Sequence, residues 1–491
     1  MHIADTFSSR VRPVLEGRKG AVSAAHPLAT AAAQEMLTVG GSAIDALIAA
    51  QAVLCVVAPD ACGLGGDMFA LVKPNGEDCI AINGAGMAPL AMEHASADGA
   101  NSVTIPGIVH GWEVMAKRWG NLPMARVLSS AIGIARDGFR VPPVLASALM
   151  AQRERLEHGG ADSWALMACE PGDRFLQPEL ARFLEAIGQH GSAAFYSGRY
   201  AEAICASVQR LGGHLSSHDM AMHYSEVRPA ISVDLGDVKV SVQPPMTQGI
   251  LLAMALKARD AIRYLPPELN DHAGIELTEA AFAYRSRIAE GEALLGEPLT
   301  IDFARAARRG GPRAYLHTAG VAVADAQGLV ASSLVSVFDD FGSGVYVPEC
   351  GITLNNRAGG FTDGANAFAP GKRPVHTLAP AIVTSPQGVL ALATPGADGQ
   401  VQTLLQIISA IFSHGTDIAA AIAAPRWRSE NGAILIERSH NGQERLAALG
   451  HELRPLDDGD MRFGAVVAAG WACETPFATA DWRRDTWAGV A

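Results

Sequence analysis

The 491-residue chain has a net charge of −12, with 49% hydrophobic, 18% charged and only 6% aromatic residues. That composition suits a large core filled by small side chains, and the lack of a dense Lys/Arg block with interleaved aromatics argues against a nucleic-acid partner. The start, "MHIADTFSSRVRPVLEGRKG", shows no apolar run of the signal-peptide kind, which gives the expectation of a cytoplasmic protein. "AVSAAHPLATAAAQEMLTVGG" then predicts a short strand and a helix stopped at Gly40-Gly41. Ser42 caps a second helix, "AIDALIAAQAVLCVVA", apolar nearly all round and so central. Interrupted by Gln51 and closed by Pro59, it is too short to span a bilayer, and no membrane partner is expected. "PDACGLGGDMFALVKPNGEDCIAIN" predicts a Gly-rich loop and a hairpin turning at Asn75-Gly76. The "GLGG" of Gly63–Gly66 lacks the strand–GxGxxG–helix setting of a dinucleotide site and reads as a tight loop.

Helices are expected between about 106 and 210. "DVKVSVQPPMTQGILLAMALKARD" then reads as strand, loop and helix, and "ELTEAAFAYRSRIAEGEALLG" as a further helical stretch. Cys55, Cys62, Cys79, Cys169, Cys205, Cys350 and Cys473 are scattered, without metal-ligand spacing, and are expected to be reduced thiols. No feature calls for a metal or an organic cofactor.

After the Arg- and Gly-rich "ARAARRGGPRAY" the character changes at Thr318. "TAGVAVADAQGLVASSLVSVF" predicts two strands joined near Gln327-Gly328, apolar or small on both faces and so covered on both sides. Further strands are expected at "GITLNN", "PAIVTSPQGVLALATPG" and "AILIE", with a helix at "QVQTLLQIISAIFSHG". A Thr between a flexible segment and a core strand has a specific chemical use. Its hydroxyl is a poor nucleophile until a base takes the proton, and a free α-amino group on the same residue is such a base. Breaking the His317–Thr318 peptide bond would create it.

Several ordered blocks carry a resemblance. "SAAHPLATAAAQEMLTVGGSAIDALIAAQAVLCVVAP" with "GLGGDMFALV", "VTIPGIVHGWEVMAKRWGNLP", "QPPMTQGILLAMAL", "TAGVAVADAQG", "FGSGVYVPECGITLNN", "KRPVHTLAPAIV" and "ATPGADGQVQTLLQ" resemble the gamma-glutamyltranspeptidase family of Ntn hydrolases. The resemblance implies an α+β fold: a four-layer αββα sandwich, one globular unit made of two chains after self-cleavage. Those chains would be a large subunit, 1–317, and a small subunit, 318–491, each the other's partner. It implies acyl transfer through Thr318, with Ser336 as a second hydroxyl beside it. It also matches Gly396 and Ala397 to the pair whose backbone N–H groups form the oxyanion hole. Ala in place of the second Gly keeps the N–H.

The departures from the family pattern bear on the substrate. Ala319-Gly320 stand where a Thr-His pair usually follows the nucleophile. Ala85 stands in place of the Arg that grips a glutamyl α-carboxylate, and Phe338 in place of an Asn. Arg357 and Gly360 replace the groups that take the α-amine, and His376 and Thr377 replace a pair of Ser. A cation at an ammonium site inverts the charge, and Arg357 can hold a carboxylate in fork geometry. Alternatively it pairs structurally with Asp339, Asp340 or Asp363. His376 is either a substrate contact or a core His. Asn355 and Asn356 either hold backbone or touch substrate. The expectation is a self-processing amidohydrolase for a small carboxylate-bearing amide such as an oxamate-like compound, similar to the family's non-glutamyl branches. The alternatives are a glutathione hydrolase or gamma-glutamyltransferase, and an unprocessed, non-catalytic homologue.

Overall fold

A computed structural model describes residues 9–307 and 318–491. The segment after Thr318 forms the strands Ala319–Asp325 and Val330–Ser336, and every residue of both is buried. Side chains alternate between the two faces of a strand, so this burial needs a layer on either side. Gly20–Ala24 pairs along one edge of the hairpin and Asp67–Lys73 along the other, within a sheet of seven strands. A second seven-stranded sheet has Gly388–Ala393 at its centre, between Val467–Ala472 and Ala381–Ser385.

The two sheets stack over a core of small residues, among them Ala322, Ala324, Leu334, Ala391, Ala393 and Val467. A Cβ added at Gly320 would sit 3.1 Å from Val467 and 3.3 Å from Ala393, so the sheets approach closely just behind Thr318. Helices Pro27–Thr38 and Ala43–Val57 cover the outer face of the first sheet. Helices Gly249–Ala261, Asn270–Phe282 and Gly399–Phe412 cover the second. The result is the expected four-layer αββα arrangement.

Local chemistry fixes these elements as the pattern predicts. Ser42 and Asp45 form a reciprocal capping box, worth about 1 kcal/mol. Asp325, at the far end of the Thr318 strand, accepts the Ala43 N–H at 2.8 Å, which ties that strand to the helix start. Gln51, polar inside an apolar helix, is satisfied by Trp112 and Ser333, both at 2.7 Å.

Two expectations need correction. The stretch 276–296 is not one helix: it continues Asn270–Phe282 and then becomes 3₁₀ turns over Arg285–Gly296, broken at Gly291, whose φ is 60°. "GITLNN" holds only the short strand Ile352–Thr353, because its Asn pair goes to loop anchoring. All seven cysteines are unpaired thiols. Among the described residues no helix is long and apolar enough to cross a membrane.

Candidate active site

The antiparallel register sets the site. Ala319 lies opposite Val335, and one step further Thr318 lies opposite Ser336. Ser336 in turn lies opposite Asp67 in the next strand. Residues directly opposite share a face, so Thr318, Ser336 and Asp67 form one buried row at the end of the sheet. Thr318 Oγ1 donates to Ser336 Oγ at 3.5 Å, and Ser336 Oγ accepts the Phe338 N–H at 3.0 Å. Thr318 also lines a cavity of about 280 Å³ with His26, Leu54, Asp60, Pro395 and Arg484.

Phe338 leaves the strand with φ of 87°, a backbone state costing a non-glycine residue about 1–3 kcal/mol. Its ring lies under the Arg357 guanidinium, 3.6 Å from centroid to Cζ. Arg357 is 2% exposed and its Nη1 lies 3.4 Å from His376 Nδ1. Stacking on an aromatic face in a desolvated setting is worth about 2 kcal/mol. His376 also packs on Phe69, with ring centroids 4.7 Å apart. Burial first, then the Arg357 and Arg373 charges, hold its pKa well below the ordinary value, so it is neutral.

Sequence reasoning missed Asp67. Burial pushes its carboxyl up to about 7, against the opposing pull of Arg357, the Gly86 and Gly107 N–H groups and Arg373. Oδ1 accepts the Gly86 N–H at 3.3 Å. Oδ2 has no hydrogen bond and lies 3.8 Å from His376 Nε2, which also has none. The signal was present as the lone acid between "GLGG" and an apolar strand.

The oxyanion-hole candidates sit at the turn into helix Gly399–Phe412. Gly396 has φ of 121° and Ala397 of 48°, and among the described residues neither N–H has an acceptor. Gln248, also missed, donates to the carbonyls of Ala397 at 2.7 Å and Thr377 at 2.6 Å. It thereby joins the Gly396-Ala397 turn to the segment that carries His376, and Thr377 itself is buried.

Asn355 and Asn356 are anchors. The Asn355 amide bonds Gly65 and Thr104, and Asn356 bonds Ala97 and both the N–H and the carboxylate of Asp339. Asn356, expected in the substrate-binding set, thus spends its amide on backbone and on Asp339. Ala85 gives its carbonyl to Arg373, which pairs with Glu226 at 3.0 Å. His317 lies outside the described residues.

One group away from this site has metal-ligand chemistry: the donor atoms of His272, Glu276 and His451 lie within 4.8 Å of one another. His272 Nδ1 and His451 Nε2 hydrogen-bond at 2.8 Å, while His272 Nε2 meets the Asp302 carbonyl and Glu276 accepts the Ala307 N–H. These contacts fasten the segment 302–307.

The profile of the Gamma-glutamyltranspeptidase family matches residues 29–491. The chain is 33% identical over 486 residues to the oxamate amidohydrolase proenzyme of Klebsiella pneumoniae subsp. pneumoniae, covering 89% of this chain and 92% of that one. It is 30% identical to the glutathione hydrolase-like YwrD proenzyme of Bacillus subtilis, covering 92% and 94%. The crystal structure of cephalosporin acylase from Bacillus halodurans is similar throughout, with a TM-score of 0.89 at 27% identity, covering 100% and 99%.

Proposed function

The chain belongs to the gamma-glutamyltranspeptidase family, and from that premise we propose a self-processing amidohydrolase that acts through Thr318 on a small carboxylate-bearing amide, oxamate-like in its chemistry. The observation that carries the reading is the row Thr318–Ser336 at the head of a buried strand, with Arg357 stacked on Phe338, two residues after Ser336.

Thr318 Oγ1 attacks the His317 carbonyl carbon, and the peptide nitrogen leaves as the new α-amine. Water then splits the resulting ester, which frees a small chain starting at Thr318 and a large chain ending at His317. In turnover the α-amine takes the Oγ1 proton as Oγ1 attacks the substrate amide carbon. The N–H groups of Gly396 and Ala397 receive the oxyanion, each such donor being worth about 2.7–4 kcal/mol. The α-ammonium returns the proton to the departing amine. Water attacks the acyl-Thr ester with the α-amine again as base, releasing the acid and restoring the hydroxyl. Ser336 orients Thr318, Phe338 closes an apolar wall, and Arg357 binds the substrate carboxylate, with neutral His376 as its neighbour.

The charge inversion supports a substrate that presents a carboxylate rather than a glutamyl α-amine. The oxamate amidohydrolase and cephalosporin acylase likenesses support the same amide chemistry. A panel of oxamate, glutathione, a γ-glutamyl anilide and a glutaryl amide on processed protein tests the choice, with oxamate-type amides turned over fastest. Preferential turnover of the γ-glutamyl compounds refutes it in favour of a glutathione hydrolase. A single full-length band for the parent, the same as for Thr318→Ala, refutes processing and favours a non-catalytic homologue.

A further inference from the structure

Arg357 is a buried cation that the proposed function assigns to a substrate carboxylate, and the site already holds a buried acid close by. Asp67 shares the row of Thr318 and Ser336, it is 1% exposed, and its Oδ2 makes no hydrogen bond. The titratable and charged groups that face Asp67 are Arg357, Arg373, His376 and Tyr196. Arg373 is committed to Glu226 and to the Ala85 carbonyl. Tyr196 donates its hydroxyl to the Pro106 carbonyl. His376 is neutral. Asp339 is bonded through both its N–H and its carboxylate to Asn356.

We propose that Asp67 balances the buried Arg357 charge across His376, which lies 3.4 Å from the one and 3.8 Å from the other, and that a substrate carboxylate takes over this role while Asp67 takes up one proton from solvent. This rests on the proposed carboxylate role of Arg357. Two carboxylates beside one guanidinium, in a buried site, repel strongly, and protonating one of them removes the conflict. Asp67 is suited to be that one, since burial already raises it to about 7. In the resting site neutral His376, whose Nδ1 accepts from Arg357 Nη1, carries its proton on Nε2 and turns it toward the ionised Asp67 Oδ2, 3.8 Å away and without a hydrogen bond of its own. Above about pH 7 the charge of this group is thus the same before and after binding: one guanidinium and one carboxylate. An acid substrate is accepted with its proton, and a neutral amide of equal shape gains nothing from the exchange. Asp67 is in this sense a specificity-determining residue rather than a catalytic one.

Oxalate, a dicarboxylate without an amide, is the probe. Its binding to processed enzyme is measured by calorimetry at pH 8 in two buffers of different ionisation heat. The expected result is uptake approaching one proton per oxalate by the parent and none by Asp67→Asn. Asparagine mimics the protonated acid, so Asp67→Asn binds oxalate about 10-fold more tightly than the parent at pH 8 and equally at pH 6, one pH unit above about 7 being a tenfold cost. Oxalate binding by the parent without proton uptake overturns the exchange and leaves the carboxylate site standing. Unchanged oxalate affinity in Arg357→Gln, or no binding by the parent, overturns the carboxylate site itself. The proton count on the parent decides the exchange even where Asp67→Asn fails to fold.

Discussion

The raised Asp67 carboxyl predicts a pH dependence of stability that runs opposite to ordinary acid denaturation. The folded chain keeps this proton up to about pH 7, whereas the unfolded chain releases it near 3.8. Between those limits the folded state binds more protons, so the contribution is fully present below 3.8 and is lost as pH rises through 7. From pH 5 to pH 8 the loss is about 3 kcal/mol, two pH units at about 1.36 kcal/mol each. Unfolding 491 residues at about 2.1 cal/mol/K per residue carries an entropy of about 1 kcal/mol/K, so each kcal/mol moves the midpoint by about 1 °C. The perturbation is Asp67→Asn in a Thr318→Ala background, a single uncleaved chain that cannot dissociate into subunits. Buried His376 and His223, held low by burial, contribute with the other sign: their stabilisation is present above 6.5 and is lost as pH falls. They are common to both chains and cancel in the difference. Thermal midpoints of the chain that keeps Asp67 should therefore fall, relative to those of the Asp67→Asn chain, by about 3 °C between pH 5 and pH 8. Parallel curves, or a gap of the opposite sign, refute the reading of Asp67 as a buried acid that titrates near neutrality.

Ser336→Ala removes the hydroxyl that accepts the Phe338 N–H and meets Thr318, and should lower kcat by about 10- to 100-fold, the value of one hydrogen bond to a charging group. Band ratios over time should show slower processing as well. Gly86→Ala puts a Cβ 1.6 Å from the Ile105 carbonyl oxygen, so the strand end that bonds Asp67 must move, at about 1–3 kcal/mol. A thermal scan should register the loss. Ala397→Gly relieves an Ala held at φ of 48°, worth about 1–2 kcal/mol, against about 0.5–1 kcal/mol of added chain entropy. Its midpoint should move by less than about 1.5 kcal/mol equivalent, with kcat at the parent's value because the oxyanion N–H is kept.

What was legible in the sequence was local in origin. The capping box at Ser42, the turns at Asn75-Gly76 and Gln327-Gly328, and the doubly covered hairpin after Thr318 all follow from short-range pattern, and the fold carries each of them. Asp67 and Gln248 were passed over although both lie inside blocks that the family resemblance quotes. Their chemistry comes from partners far along the chain: Ser336 across a sheet register for the first, and Thr377 and Ala397 for the second. Asn356 stood open between holding backbone and touching substrate because Ala97 and Asp339 reach it only through the fold. The substitutions around the site make sense together once that register is known. In the row that runs from Thr318 through Ser336 and Asp67 the next position is Ala85, where the family resemblance places a carboxylate-gripping Arg. An acid and an alanine there leave that end of the row unable to hold an anion. The cation for an anionic substrate then comes from Arg357, which stands on Phe338. Restoring the family's charge by Ala85→Arg alone would place a second guanidinium beside Arg373 and Asp67, with no space cleared for it, since Ala85 is fully buried. The pocket thus departs from the glutamyl pattern as a coupled set, and reverting one member should cost stability without restoring glutamyl binding.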